Sequence, residues 1–215
     1  MLHRISAYEL SQELLPSIRS VAILEAFNRL HQAKGITAHS TVPAVHGDPN
    51  LSNIVLSAGG EPQFIDPGPA LLLGVGIERP GDWTLDSGWD VALLAKHFLE
   101  QSGEQGQRAF LDAYSKRAGL SCEGLLSEMR YWQVLCYLMI VAVCVKRWHD
   151  FQTEENPVSS FLATHRISLG RYIRYFFARS LELLGVAHLY PTFVEDFGAE
   201  IFTDNAVHND ESLVL

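Results

Sequence analysis

Residues 45–68 read VHGDPNLSNIVLSAGGEPQFIDPG, and this stretch decides the fold that we predict for the chain. Two short apolar runs, Ile54–Leu56 and Gln63–Ile65, flank a turn-like segment that contains Gly59-Gly60. Apolar runs on either side of a glycine pair predict a β-hairpin. The second run is followed by Asp66-Pro67-Gly68-Pro69, where two prolines end the strand because they cannot donate hydrogen bonds to a sheet.

Helical patterns surround the hairpin on both sides. Residues 8–33 carry apolar side chains at helical spacing, with a break or second start at Pro16. After the hairpin and a loop rich in glycine and proline, four further helices are predicted: Asp90–Leu99, Gln107–Ala118, Glu123–Trp148 and Ser160–Leu184. The predicted fold class is therefore α+β and mostly helical, with the hairpin packed on a helical bundle.

Composition and charge limit the class of protein. The 215 residues are 47% hydrophobic and 19% charged, which is typical of a globular protein, and the net charge of −9 argues against a nucleic-acid partner. The longest apolar run, Val134–Val145, is too short for the roughly 20 residues of a membrane span. The three cysteines are too few for a disulfide framework, and no signal-peptide run is present. We expect no membrane partner and a cytoplasmic location.

Three polar residues around the hairpin point to one site. Asp48 precedes Asn53 by five residues, and Asp66 follows thirteen residues later, across the predicted hairpin. A tight hairpin places its two ends side by side, so Asn53 and Asp66 should lie close together. A carboxylate and an amide oxygen are ligands that suit Mg²⁺, and a second carboxylate is suited to accept a hydroxyl proton. The alternative is that Asn53 is a turn residue and Asp66 a strand-end cap.

The pattern His46-Gly47-Asp48-x4-Asn53, followed by Ile65-Asp66, resembles the aminoglycoside phosphotransferase and choline kinase family, relatives of the protein kinases. The similarity continues in Trp89-Asp90-Val91-Ala92 and in Phe110–Tyr114, and it covers roughly residues 40–150. The resemblance implies a kinase-like C-terminal lobe. It also implies an ATP- or GTP-dependent phosphotransferase with Mg²⁺ as cofactor and a small-molecule hydroxyl as acceptor.

The resemblance also implies a role for each residue of the motif. Asp48 would be the catalytic base, and Asn53 and Asp66 would bind the metal and, through it, the nucleotide. His46 would orient the loop, and Asp90 would support it from the following helix.

The chain departs from the family pattern at several positions. Asn50 stands where many relatives carry His, Pro49 stands where Leu is usual, and Asp66 is followed by Pro67-Gly68 in place of an aromatic residue and Gly. The loop between Asp66 and Asp90 is longer than is usual in the family. None of these changes removes a charge that the reaction needs.

The sequence before His46 contains no Gly-rich phosphate loop and no strand lysine with a helical glutamate partner. We therefore expect the whole chain to be one C-terminal lobe, whose N-terminal ATP lobe is supplied by a partner or a further segment. Its predicted parts are a leading helix (1–40), the catalytic loop, hairpin and metal loop (41–88), a helical subdomain (89–190) and a tail (191–215).

Two other functions are open from the sequence. One is a catalytically inactive kinase-like binding or regulatory protein, which would explain the missing lobe. The other is a metal-dependent phosphohydrolase that uses His46 and Asp48, although such sites need several more ligands.

Among the aromatic residues, we expect Trp89 to pack in the core beside Asp90, with ligand stacking as the alternative. Tyr131, Trp132, Tyr137 and Trp148 are also expected mostly in the core, with the lining of an acceptor pocket by one edge of their helix as the alternative.

Overall fold

A computed structural model of the chain describes residues 21–34, 46–66, 87–153 and 159–191. In these ranges the protein is mostly helical and contains one small two-stranded antiparallel sheet. The α+β, mostly helical fold class expected from the sequence is therefore confirmed. The first turns of the predicted leading helix, most of the loop between Asp66 and Trp89, and the tail after residue 191 lie outside the described residues.

The described elements follow one another as α1 (Val21–Lys34), β1 (Ile54–Leu56), β2 (Pro62–Phe64), α2 (Ser87–Ala118), α3 (Cys122–Thr153) and α4 (Ser159–Leu184). Two 3₁₀ turns, Leu51–Asn53 and Ala187–Leu189, precede β1 and follow α4. The boundaries predicted for α4 and the start of α3 agree with the structure to within one residue, whereas α3 continues to Thr153, past its predicted end at Trp148.

The hairpin forms as the sequence predicts. Ile54 pairs with Phe64, and Leu56 pairs with Pro62. The turn is closed by the Gly60 N–H, which donates to the Ser57 carbonyl oxygen at 2.9 Å. The second strand runs from Pro62 to Phe64, one residue earlier at each end than the predicted run Gln63–Ile65. Its first position is open to proline because the first residue of a strand need not donate to the ladder.

Helix α2 contains the two predicted helices in sequence. Its backbone leaves the helical region at Gly103, where φ is 65° and ψ is −167°, so a first segment is followed by a second that ends at Ala118. The end is capped by Gly119, whose φ of 69° is a conformation that glycine adopts without a steric penalty. There the Leu120 N–H donates to the Ser115 carbonyl oxygen at 2.9 Å, which satisfies one of the last helical acceptors.

The chain divides into two compact units. The described part of the first contains residues 46–66 and 87–136, and that of the second contains 21–34, 137–153 and 159–191. The first unit has a core formed by α2 and the beginning of α3, with Trp89, Leu93, Leu99 and Trp132 among its buried residues. Tyr131 and Trp132 are buried as expected, and Trp89 is fully buried, so its core placement is confirmed.

The second unit has a core of its own. Ile23 and Phe27 of α1 and Phe176 of α4 are fully inaccessible to solvent. Tyr137, also buried as predicted, packs against Phe176 with ring centroids 4.9 Å apart. Within the described residues, no helix has the length and apolar character needed to cross a membrane.

Candidate active-site loop

The predicted site begins in a tight turn between residues 46 and 53. The Asn50 N–H donates to the Asp48 carbonyl oxygen at 2.8 Å, and the Asn53 N–H donates to the Asn50 carbonyl oxygen at 3.0 Å. The turn Leu51–Asn53 is one turn of 3₁₀ helix, and the chain passes from it directly into β1. This compact path brings residues 48 and 53 back together at the start of the hairpin.

Asp48 and Asn53 lie in contact. The side-chain amide of Asn53 donates to the Asp48 carbonyl oxygen at 3.0 Å and lies 3.5 Å from Asp48 Oδ2. Asp48 itself is buried, whereas Asn53 is half-buried. Because the NH₂ group of Asn53 faces Asp48, its oxygen Oδ1 is the atom left to bind a cation.

Asn50 connects the two ends of the turn. Its Oδ1 accepts from the backbone N–H groups of Ser52 and Asn53, at 2.9 and 3.1 Å, and from the Ser52 hydroxyl. Its Nδ2 donates to Asp48 Oδ2 at 3.1 Å. An asparagine that accepts from the backbone two and three residues ahead is a recognised turn device, and this one also reaches the predicted base.

His46 holds the start of the loop through both ring nitrogens. Nε2 lies 2.9 Å from the Ile65 carbonyl oxygen, and because a carbonyl only accepts, Nε2 carries the hydrogen. Nδ1 therefore accepts, and the Asp48 N–H donates to it at 3.3 Å. The ring also lies against Phe64, with centroids 5.3 Å apart. These contacts tie the loop to the second strand of the hairpin.

Asp90, in the first turn of α2, accepts two backbone hydrogen bonds from the loop. The His46 N–H donates to its Oδ2 at 2.7 Å and the Gly47 N–H to its Oδ1 at 2.9 Å. Gly47 has φ of 86°, a left-handed conformation that glycine favours. Burial raises the pKa of Asp90, while the two backbone donors act in the opposite direction.

Two neighbours of Asp90 also hold the loop and the start of α2 in place. The indole N–H of Trp89 donates to the Gly47 carbonyl oxygen at 2.9 Å, in a buried position. Gly88 lies against Trp132 so closely that a Cβ atom would come within 2.3 Å of the indole ring. Gly88, Trp89 and Asp90 therefore place the start of α2 against both the loop and α3 of the same unit.

Asp66 stands at the far end of the hairpin. The Ile65 N–H donates to the Asn53 carbonyl oxygen at 2.9 Å, so Asp66 comes one residue beyond the backbone partner of Asn53. Its carboxylate is exposed, and its φ of 55° is left-handed, which is uncommon for a residue other than glycine but tolerated by aspartate.

The fold thus assembles the predicted site residues around one loop. Asp48 and Asn53 are in contact, His46 and Asp90 are hydrogen-bonded to the loop backbone, and Asp66 adjoins the residue that pairs with Asn53. The chemical roles assigned to these residues stay predictions. In the described ranges, no group of three or more His, Cys, Asp and Glu side chains is arranged to hold a metal ion.

The roles of two residues in the hydrogen bonds of this loop were not predicted from the sequence. Asn50 was expected only as a departure from the family pattern, although an asparagine just before Leu-Ser-Asn is itself a signal for a side-chain-capped turn. Trp89 was expected in the core, but its hydrogen bond to Gly47 depends on a contact across 42 residues. No local pattern in the sequence could have indicated that contact.

Comparison of the chain with protein-family models, with curated proteins and with solved structures found no match.

Proposed function

We propose that this chain is the kinase-like catalytic lobe of a phosphotransferase that transfers the γ-phosphate of ATP or GTP to a hydroxyl group of a small molecule. The observation that carries the proposal is the shared turn of Asp48 and Asn53. There a buried carboxylate and an amide are in contact, and the amide residue leads straight into the hairpin that ends at Asp66. A proton acceptor and oxygen ligands for a hard cation are what phosphoryl transfer asks of a protein.

The oxygen atoms available around the hairpin suit Mg²⁺. Asn53 would bind through Oδ1, since its NH₂ group is occupied by Asp48, and the exposed carboxylate of Asp66 would supply the second protein ligand. Two protein ligands are enough for Mg²⁺, which completes its coordination with water and phosphate oxygens. When bound, the ion would neutralise charge on the nucleotide phosphates.

The step proposed for Asp48 is the acceptance of a proton. The acceptor hydroxyl gives its proton to the Asp48 carboxylate while its oxygen bonds to the γ-phosphorus. The bond between that phosphorus and the oxygen bridging to the β-phosphate breaks, and the nucleoside diphosphate leaves. His46 and Asp90 hold the loop so that the carboxylate keeps its position during the step, because their hydrogen bonds fix the backbone on both sides of Gly47.

An acceptor screen with γ-labelled ATP and Mg²⁺ tests this function. Candidate acceptors are aminoglycosides, choline-like amines, sugars and amino alcohols, and Asp48→Asn is the matched control. We expect label on an acceptor, with kcat reduced about 10²- to 10⁴-fold in the control, the usual contribution of a general base.

The other outcomes of the screen contradict the proposal in different ways. Label found only in inorganic phosphate would indicate a phosphohydrolase. Absence of any transfer, together with Mg-dependent nucleotide binding, would indicate the kinase-like binding or regulatory protein.

A further inference from the structure

We propose that Asn50 is a positioning residue that fixes the orientation of the Asp48 carboxylate and leaves Asp48 Oδ1 as the oxygen that accepts the substrate proton. This inference rests on the proposed function for its catalytic meaning, but its structural content can be tested without any activity.

The contacts of Asn50 use both ends of its amide. The oxygen accepts from two backbone N–H groups and one hydroxyl, while the nitrogen donates to Asp48 Oδ2 at 3.1 Å. Rotating the amide by half a turn would place its NH₂ group against backbone donors and its oxygen against a carboxylate. Both of those contacts would be repulsive, so the turn itself fixes which way the amide points.

The second amide at the carboxylate is placed less favourably. Asn53 Nδ2 lies 3.5 Å from Asp48 Oδ2, and its shorter hydrogen bond, at 3.0 Å, goes to the Asp48 carbonyl oxygen. Asn50 is therefore the stronger donor to the Asp48 side chain. Both amides meet Oδ2, and from the described part of the chain Oδ1 receives no hydrogen bond.

An oriented carboxylate is what the proposed step needs. A general base must lie within hydrogen-bond distance of the hydroxyl that it deprotonates, and misorientation of a catalytic group lowers the rate. A hydrogen bond to a charged group is stronger than one between neutral groups, and it favours one side-chain rotamer over the others. Asn50 supplies that hydrogen bond from a side chain that the turn already holds in place.

Asn50→Ser separates the two roles of the residue. Serine caps short turns and helices about as well as asparagine, but its hydroxyl is too short to repeat the contact with Asp48. Ser52→Ala is the matched control, because Ser52 contacts the same Asn50 oxygen and does not contact Asp48. Asn50→Asp is the second variant: it keeps the accepting oxygen, removes the donor and places a like charge beside Asp48.

The measurement is the set of three-bond NMR couplings across χ1 of Asp48 in the full chain without nucleotide. We expect values of a single rotamer in the wild type and in Ser52→Ala, and rotamer-averaged values in Asn50→Ser and Asn50→Asp. Single-rotamer couplings in a folded Asn50 variant would overturn the inference. If Asn50→Ser does not fold, Asn50→Asp decides the question.

An activity comparison then distinguishes this inference from the proposed function. If the chain transfers phosphate, Asn50→Ser should lower kcat about tenfold, which corresponds to the loss of roughly 1.4 kcal/mol, with little change in the Kd of Mg-ATP. Averaged couplings without phosphate transfer by the wild type would refute the proposed function and keep the positioning role. Phosphate transfer with unchanged couplings and unchanged kcat in the variant would refute only the positioning role.

Discussion

At the residue scale, Asp90 shows how opposing effects set the pKa of one carboxyl group. Burial disfavours its charged form, whereas the N–H groups of His46 and Gly47 favour it, and burial is the larger effect, so the pKa is raised above the usual value of 3.8. The folded protein therefore binds this proton more readily than the unfolded chain does. The contribution of Asp90 to the free energy of unfolding is fully present below pH 3.8 and is lost as the pH rises through the raised pKa.

This pH dependence leads to a prediction about the variant Asp90→Asn, in which a neutral side chain of the same shape replaces the carboxyl group. The difference in unfolding free energy between the variant and the wild type should move in favour of the variant as the pH rises from 3.8, and should then stay constant. Denaturant unfolding of both proteins at a series of pH values measures this difference in unfolding free energy. Taking the difference cancels the titration of carboxyl groups that do not interact with Asp90. A trend in the opposite direction would show that the two backbone hydrogen bonds outweigh burial.

The residue scale also shows what the sequence could and could not predict. The sequence placed Asp48 and Asn53 in one site through their five-residue offset, but their direct contact is seen only in the structure, where a single short turn joins them. The part played by Asn50 could not be predicted in the same way. Its nitrogen reaches Asp48 only because the turn that its own oxygen caps has closed, so the contact depends on backbone geometry as well as on residue type.

At the element scale, the start of α2 is the anchor of the loop. Trp89 fills the core and donates to the Gly47 carbonyl oxygen, and Asp90 accepts from the loop on the same side. The hydrogen bond of Trp89 is buried, so its removal leaves a carbonyl oxygen without a partner and without access to water. A buried polar group left in that state costs about 1–3 kcal/mol.

Trp89→Phe should therefore lower the free energy of unfolding by more than its smaller ring accounts for. We expect an additional loss of about 1–3 kcal/mol relative to Trp132→Phe, which removes the same volume from a buried indole on α3 of the same unit. Chemical denaturation of the two variants provides the comparison. Equal losses in both would mean that the bond to Gly47 does not stabilise the fold.

The elements themselves were largely predictable from local signals. Gly119 ends α2 because glycine accepts the left-handed conformation of a helix cap, and the prolines after Asp66 gave the end of the predicted strand. The packing of Gly88 against Trp132 was not predictable, since it joins residues 44 positions apart in two different helices. Long-range contacts of this kind require the tertiary structure.

At the scale of the whole molecule, the hairpin and its loop belong to one compact unit together with α2 and the first part of α3. All five residues assigned to the proposed site lie in this unit: His46, Asp48, Asn53, Asp66 and Asp90. The second unit has a separate core around Phe27 and Phe176. The prediction of a single C-terminal lobe over residues 1–215 stays a prediction.

We propose that Asn53 and Asp66 form a metal and phosphate site around the hairpin. Calorimetric titration of the full chain with ATP, in the presence and absence of Mg²⁺, tests it most directly, with Asp66→Asn and Asp48→Asn titrated in parallel. We predict Mg-dependent binding by the wild type, loss of that binding in Asp66→Asn, and a nearly unchanged Kd in Asp48→Asn, because a base is not needed for binding. Absence of Mg-dependent binding by the wild type would show that Asn53 and Asp66 do not form such a site without the expected ATP lobe, and equal binding by Asp66→Asn would show that Asp66 is not a ligand.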